Sequence, residues 1–243
     1  MARAWWKAVA RFIEPQLNSI YAQLPATTCS RRGLCCLLLP PVAPAEAVVW
    51  LGRVWAGQVY RRKAVVMGLV GRFLCNAWMP TRCLWARAGR CAIYPHRFFS
   101  CRAYGLWSET AYEARRALAL ERQQQVLQAW EGLGVRLPER VVQERIGGYC
   151  RRVRPVGEGI SDRRLEELEG EVWGLGEGEW WWVRAGGWGG DLGQGVAFEA
   201  LGHTRALELK VEITRALVEG RGARARRLLS QALEVAGDWA MTN

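Results

Sequence analysis

The sequence is poor in the residues that most enzymes use to move protons. It has only two histidines, His96 and His203, and histidine is the side chain that exchanges protons most readily near neutral pH. No Ser/His/Asp order and no pair of carboxylates can be picked out, so the chain has little capacity for general acid–base catalysis. These absences argue against a hydrolase and leave open whether the protein is an enzyme.

Long apolar runs are also missing. The longest candidate, AVVMGLVG at residues 64–71, is far shorter than the roughly 18–20 residues that a membrane span requires. The basic N-terminal stretch is interrupted by Arg11 and Glu14 and is followed by no small-residue cleavage site, so it does not predict a secretory signal. We therefore expect a cytoplasmic protein, in which cysteines serve as metal ligands more often than as disulfides.

Acidic residues are the minority among the charged ones. The chain has 23 Asp and Glu against 34 Lys and Arg, a net charge of +11 and a pI of about 9.7. Such a balance favours an acidic protein as partner, and it makes nucleic acid a possible but less favoured one. Alternatively, arginine serves here mainly as the solubilising residue, since its long stem can cover apolar surface.

The eight cysteines, in contrast, are concentrated. Seven of them fall between residues 29 and 101, in a first group CSRRGLCC and a second group spread over residues 75–105. Arginines lie beside or between them: Arg31, Arg32, Arg82, Arg90, Arg97 and Arg102. Four thiolates around zinc or an iron–sulfur cluster carry net negative charge, which guanidinium groups balance. The pattern predicts a thiolate-rich metal site.

The spacing of the cysteines leaves the metal open. Structural zinc sites favour paired C-x₂₋₄-C knuckles, and this chain has none, with seven residues between Cys83 and Cys91 and nine between Cys91 and Cys101. Long, irregular spacings suit a 4Fe–4S cluster, which is larger than one ion, and suit zinc held by distant loops equally well. We expect an iron–sulfur cluster by a small margin over zinc.

The same cysteines resemble the YkgJ-type cysteine-cluster family, described as putative zinc- or iron-chelating proteins. The opening motif of that family reads here Cys29, Gly33, Cys35 and Cys36. The closing motif reads Cys91, Ile93, Tyr94, Arg97, Cys101 and Arg102. The chain departs from the family at Phe98 and Leu84, where proline is usual. The resemblance covers roughly residues 27–105.

The resemblance implies a ligand set and a supporting shell. The implied ligands are Cys29, Cys35, Cys36, Cys83, Cys91 and Cys101, with Cys75 of second rank. Tyr94, Arg97 and Arg102 are expected to brace the loop around the bound group. His96 is interpreted as a hydrogen-bonded loop residue rather than a ligand, and Cys150 as a packing residue. A flagellin lysine methylase is distantly similar in this cysteine region, which implies a protein-modifying enzyme as an alternative. The other alternative is a basic module, stapled by zinc, that binds RNA or an acidic protein.

The sequence predicts a mostly α protein. Apolar periodicity favours helices near residues 3–24, 44–56 and 59–74, and a further helix to Trp130 with a capping box of Thr110 and Glu113. A short helix is expected at residues 139–150. The basic stretch RRVRPVGEG marks a boundary between a cysteine-rich, irregular domain at 1–150 and a smaller part at 151–243.

The smaller part combines three features. Ser161 is expected to cap a short helix, and the chain is expected to end in a helical hairpin split at GRGAR. Between them, four tryptophans at Trp180, Trp181, Trp182 and Trp188 lie among glycines. Three consecutive tryptophans cannot all face inward on one strand, so at least one is expected to meet another element or a ligand.

Overall fold

The computed structural model of the chain describes residues 2–29, 41–78, 83–87, 90–138, 141, 149–175 and 191–242. Within these ranges the protein is mostly helical, which confirms the predicted fold class. The helices are α1 (Ala2–Tyr21), α2 (Pro44–Ala56), α3 (Val59–Cys75), α4 (Phe99–Ala103), α5 (Glu109–Gly132), α6 (Asp162–Gly174), α7 (Leu192–Leu201), α8 (His203–Val218) and α9 (Gly222–Thr242). Two short antiparallel strands, β1 (Ala86–Arg87) and β2 (Arg90–Cys91), form a hairpin.

Helices α1 and α2 pack against each other and form one side of the core. Ile13, Leu17 and Ile20 of α1 recur at helical spacing and are all buried, because one stripe of an amphipathic helix faces the interior. Pro15 lies inside α1, which continues without a break from Ala2 to Tyr21. Helix α2 begins with Pro44 in its first turn, where the missing N–H of proline costs nothing.

Helix α3 lies at the centre of the other side, in contact with α7, α8 and α9. Its Leu69, Val70 and Phe73 are fully buried. Helix α7 approaches α3 so closely that a Cβ at Gly193 would lie 2.9 Å from the carbonyl oxygen of Leu69. Only glycine fits this contact without a shift of the backbone.

One continuous core crosses the predicted boundary at residues 150 and 151. It contains residues from Ala10 to Ala240, including Leu165 and Val172 of α6. The stretch that was expected to be a linker pairs with the N-terminal part: Thr27 and Pro155 form an antiparallel bridge, and the Thr28 amide donates to the Arg154 carbonyl at 2.9 Å. The division into two domains stays a prediction.

Hydrogen bonds between Ser108 and Asp162 join the N-termini of α5 and α6. Ser108, not Thr110, is the N-cap of α5, and its hydroxyl accepts a hydrogen bond from the Ala111 amide at 3.1 Å. The Ser108 amide and hydroxyl donate to the two oxygens of Asp162, at 2.8 and 2.6 Å. Ser161 caps α6, as predicted. The expected capping box of Thr110 and Glu113 is wrong, because Asp162 fixes the helix start at Ser108.

Replacing Ser108 with alanine is expected to lower the free energy of unfolding by about 1–2 kcal/mol, since it removes the N-cap and one partner of Asp162. Urea unfolding followed by circular dichroism measures the change. Ser230→Ala, at an exposed position inside α9, is the matched control and should leave stability unchanged or slightly raised. Equal effects of the two substitutions would contradict the capping role.

No described helix is both long and apolar enough to cross a bilayer. The predicted helix at residues 139–150 and the tryptophans of residues 180–188 lie largely or wholly outside the described residues. The expected C-terminal hairpin is present as α8 and α9, which pack against each other.

Candidate metal centre and the adjoining charged cleft

Two of the predicted ligands lie at the ends of the short hairpin. Cys83 precedes β1, and its carbonyl accepts from the Ala86 amide at 3.0 Å in a tight turn. Cys91 is on β2, paired with Ala86 across the hairpin. The Ala92 amide donates to the Trp85 carbonyl at 2.8 Å and closes the pair. The turn and the pairing bring the backbones of Cys83 and Cys91 to the same end of one small hairpin.

The hairpin is anchored to α2 by aromatic side chains. Trp85 contacts Trp50 of α2 with ring centroids 4.7 Å apart, and Phe98 with centroids 5.5 Å apart. All three rings are buried. Aromatic contacts of this kind add to the free energy gained by burial, so they hold the cysteine hairpin against the core.

Arg97 braces the loop between the hairpin and Cys101. Its Nε donates to the Tyr94 carbonyl at 3.2 Å, and one terminal nitrogen donates to the Cys101 carbonyl at 3.5 Å. The guanidinium also lies over the Tyr94 ring, 3.8 Å from the centroid. Arg102 donates to the carbonyls of Arg97 and Pro95, each at 2.8 Å. The three side chains therefore fix the loop that leads to Cys101, which lies in α4.

The remaining described cysteines lie on different elements. Cys75 ends α3, where burial raises the pKa of its thiol. Cys29 follows Thr28, whose amide bonds the Arg154 carbonyl, and Cys150 is buried four residues before Arg154. Gly105, with φ of +86°, brings the chain after α4 against Val153, where a Cβ would meet the Val153 Cβ at 2.7 Å.

The described residues do not complete a metal site by themselves. Among them, no three His, Cys, Asp or Glu side chains come together as ligands for a metal ion. Cys35 and Cys36 of the predicted ligand set, together with Arg31, Arg32 and Arg82, lie outside the described residues. The convergence of the full set of thiols therefore stays a prediction, and it requires the CSRRGLCC segment to reach the hairpin or α4.

A buried acid, which the sequence analysis did not single out, lies behind the cysteine loop. Glu46 in the first turn of α2 is 3% exposed. Its carboxyl accepts hydrogen bonds from the Tyr21 hydroxyl, from the Phe99 amide and, at 3.1 Å, from the Ala43 amide. Glu46 thereby joins α1, the start of α2 and the start of α4, two residues before Cys101.

Burial dominates the ionisation of this cluster. It raises the pKa of Glu46 above 4.5, although the hydrogen bonds from Tyr21, Phe99 and Ala43 act in the opposite direction. The pKa of the Tyr21 hydroxyl is also raised, mainly by burial and secondly by the negative charge of Glu46. Burial also lowers the pKa of Arg102, whose guanidinium lies over the Tyr21 ring at 4.4 Å from the centroid. Perturbed groups of this kind in a cleft mark a candidate functional site.

These groups line a cleft of about 270 Å³ between α1, α2 and the segment from Pro95 to Arg102. This segment, hereafter the Pro95–Arg102 loop, includes the first four residues of α4. Arg53 and Glu14 form an ion pair at its wall. His96 also lines the cleft and is exposed, and burial and the charge of Arg53 lower its pKa. The closing motif of the cysteine segment thus has the cleft on one side and Cys91 and Cys101 at its ends.

A sequence signal for Glu46 exists, although it is weak. Glu46 interrupts an otherwise apolar run from Val42 to Leu51, and a charged residue inside such a run is buried only when it is paired or hydrogen-bonded. The partners Tyr21 and Phe99 are too distant in sequence to be inferred.

Comparison with protein-family models, with curated proteins and with solved structures gives no match to this chain.

Proposed function

We propose that the protein binds a soft metal centre, an iron–sulfur cluster or zinc, through the thiolates of its clustered cysteines. The observation that carries the proposal is the ordered loop between Cys91 and Cys101, which Arg97 and Arg102 hold through backbone carbonyls rather than through carboxylates. Cationic groups held beside cysteines favour the thiolate form that binds metal. The resemblance to the YkgJ-type family supports the same assignment.

The ligands would come from the hairpin, from α4 and from the CSRRGLCC segment. Cys83, Cys91 and Cys101 would supply thiolates from the described part of the chain, and Cys29, Cys35 and Cys36 from the first group. Bound zinc would crosslink these segments, whereas an iron–sulfur cluster would also accept and release single electrons. Arg97 and Tyr94 would orient the loop, since groups around the ligands fix the ligand geometry.

We further propose a cytoplasmic location and an acidic protein partner. The thiols of Cys29, Cys75 and Cys150 are free, which suits a reducing compartment. The net charge of +11 favours acidic surfaces. Nucleic acid is the less favoured partner.

The test is elemental analysis of protein purified without oxygen, for the wild type and for Cys91→Ala. We expect stoichiometric iron with sulfide, or stoichiometric zinc, in the wild type, and a loss of at least half of the metal in Cys91→Ala because one ligand is removed. An absorption band near 400 nm separates a cluster from zinc, which is colourless.

The matched control is Cys150→Ala, which also removes a single sulfur but lies outside the predicted ligand set. It should retain the wild-type metal content. A wild-type protein without metal after anaerobic purification, or equal metal loss in both variants, would refute the proposal.

A further inference from the structure

The cleft between α1, α2 and the Pro95–Arg102 loop has an excess of positive charge. Three arginines and two glutamates line it. Arg53 and Glu14 neutralise each other as an ion pair. Among the cleft-lining side chains in the described part of the chain, Glu46 has the one carboxyl group that remains to offset the guanidinium groups of Arg97 and Arg102. Burial favours the neutral form of that group, so the cleft keeps a net positive charge whichever form Glu46 adopts.

The two arginines are held in place without using all their donors. Arg97 donates to two backbone carbonyls, and Arg102 also donates to two. A guanidinium carries five N–H donors in a planar fork, so three on each lie beyond these bonds. Within the described residues, neither arginine forms an ion pair with a carboxylate. Each guanidinium group also lies over a tyrosine ring, that of Arg97 over Tyr94 and that of Arg102 over Tyr21.

Such a pair of fixed forks matches an oxyanion. Carboxylate and phosphate accept two parallel hydrogen bonds from arginine, and these charge-assisted bonds are about twice as strong as neutral ones. Arg102 is only partly exposed, so its charge is partly shielded from water. A bound anion would compensate that charge inside the cleft, where water screens it least.

The rest of the lining is mixed: Asn18, His96 and Tyr21 contribute polar groups, and one part of the wall is apolar and can contact an organic body. Leu17 of α1, Val49 and Trp50 of α2, and Phe98 of the loop contribute side chains to the cleft. Pockets that combine apolar walls with a few fixed polar groups are typical of small-molecule sites, and a volume of about 270 Å³ lies just below their usual range, which suits a small ligand.

We propose that this cleft binds a small organic molecule through a carboxylate or phosphate group, with Arg97 and Arg102 holding the oxyanion and Trp50 and Phe98 covering the organic part. This site shares Arg97 and Arg102 with the loop that leads to Cys101, but it uses no cysteine side chain and does not depend on which metal the cysteines bind. The Pro95–Arg102 loop is common to both, so a molecule in the cleft would contact the loop that leads to Cys101.

Isothermal titration calorimetry on the full chain tests the proposal with three probes: benzoate, phenyl phosphate and inorganic phosphate. We expect saturable binding of benzoate or of phenyl phosphate, and the tighter of the two identifies the oxyanion. Arg102→Gln should weaken that binding about tenfold or more, because it removes charged hydrogen bonds. Arg163→Gln, which removes the same charge at an exposed site on α6, should change the dissociation constant less than twofold.

Asn18→Phe tests the site without removing an arginine, since Asn18 is an exposed residue at the edge of the cleft. The added ring should occlude the cleft and weaken binding about tenfold while the circular dichroism spectrum stays unchanged. Absence of saturable binding for both organic probes, equal weakening by Arg102→Gln and Arg163→Gln, or undiminished binding to a folded Asn18→Phe variant would overturn the proposal. Inorganic phosphate binding as tightly as phenyl phosphate would overturn the role of the apolar walls.

Discussion

Replacing Phe73 with alanine is expected to lower the free energy of unfolding by about 3–5 kcal/mol, the cost typical of a large-to-small change in a packed core. Phe73 is 1% exposed and lies where α3 meets α7 and α8. Its ring meets Phe198 edge-on, with centroids 5.7 Å apart, and the Lys210 ammonium lies 4.1 Å from its centroid.

The cavity left by this substitution cannot easily collapse. Helix α7 already touches the backbone of α3 at Gly193, next to Phe73, so the two helices cannot move closer together at that point. Residual cavity volume adds to the loss of burial. For a chain of this size the midpoint of thermal unfolding should fall by about 10 °C.

Phe12→Ala is the matched control, because Phe12 is 69% exposed on α1. It should change the free energy of unfolding by less than about 0.5 kcal/mol. Urea unfolding of both variants, followed by tryptophan fluorescence, measures the difference. A loss below about 1 kcal/mol for Phe73→Ala would show that α7 and α8 do not pack on α3 as described.

Replacing Glu46 with alanine is expected to be nearly as costly, at about 3–5 kcal/mol, because each buried donor left without an acceptor costs about 1–3 kcal/mol. Three donors lose their acceptor: the Tyr21 hydroxyl and the amides of Phe99 and Ala43. Glu46→Gln should cost less, because the remaining carbonyl oxygen can still accept from Tyr21 and Phe99. Its amide would face the Ala43 amide as a second donor.

The Glu46→Gln variant also tests how the ionisation of Glu46 contributes to the pH dependence of stability. Burial raises the pKa of Glu46 in the folded state above 4.5, so between 4.5 and the folded-state pKa the folded protein holds a proton that the unfolded chain has released. The free energy of unfolding therefore falls as the pH rises through that interval. Glu46→Gln removes the titrating carboxyl group and its contribution to the free energy of unfolding. The stability of this variant should therefore decline less steeply with pH than that of the wild type.

The measurement is urea unfolding of the wild type and Glu46→Gln in steps of pH upward from 4.5. Glu166→Gln is the matched control, since Glu166 is exposed on the same surface helix as Arg163, and it should reproduce the wild-type slope. A constant difference between the wild type and Glu46→Gln over the whole pH range would contradict the raised pKa.

Local signals in the sequence predicted the helices well where capping or terminating residues mark the helix ends. Helix α2 runs from Pro44 to Ala56, within the predicted bounds, because proline opens it and Gly57 follows it. Ser161 was identified as a cap because serine at that position satisfies an amide of the first turn. Helix α7 was missed, since the glycines in LGQGVAFEAL lower the helix propensity and packing on α3, α8 and α9 stabilises the helix.

The charged cleft could not be predicted because its residues are far apart along the chain. Tyr21, Glu46 and Arg102 belong to α1, α2 and α4, and no periodicity relates them. The loop residues Tyr94, Arg97 and Arg102 were singled out through the resemblance, and the structure shows what holds them, namely backbone carbonyls and tyrosine rings. The ligand set was inferred from sequence motifs, and Cys35 and Cys36 lie outside the described residues.

The packing of α3 implies that this helix cannot be fully buried until late in the synthesis of the chain. Helix α3 ends at Cys75, yet the helices that cover it begin more than a hundred residues later, at Leu192. Until those helices emerge, the nascent chain exposes Leu69, Val70 and Phe73 to water. A polypeptide truncated before Leu192 would leave this apolar surface exposed. It would be a substrate for chaperones and proteases rather than a shorter functional protein.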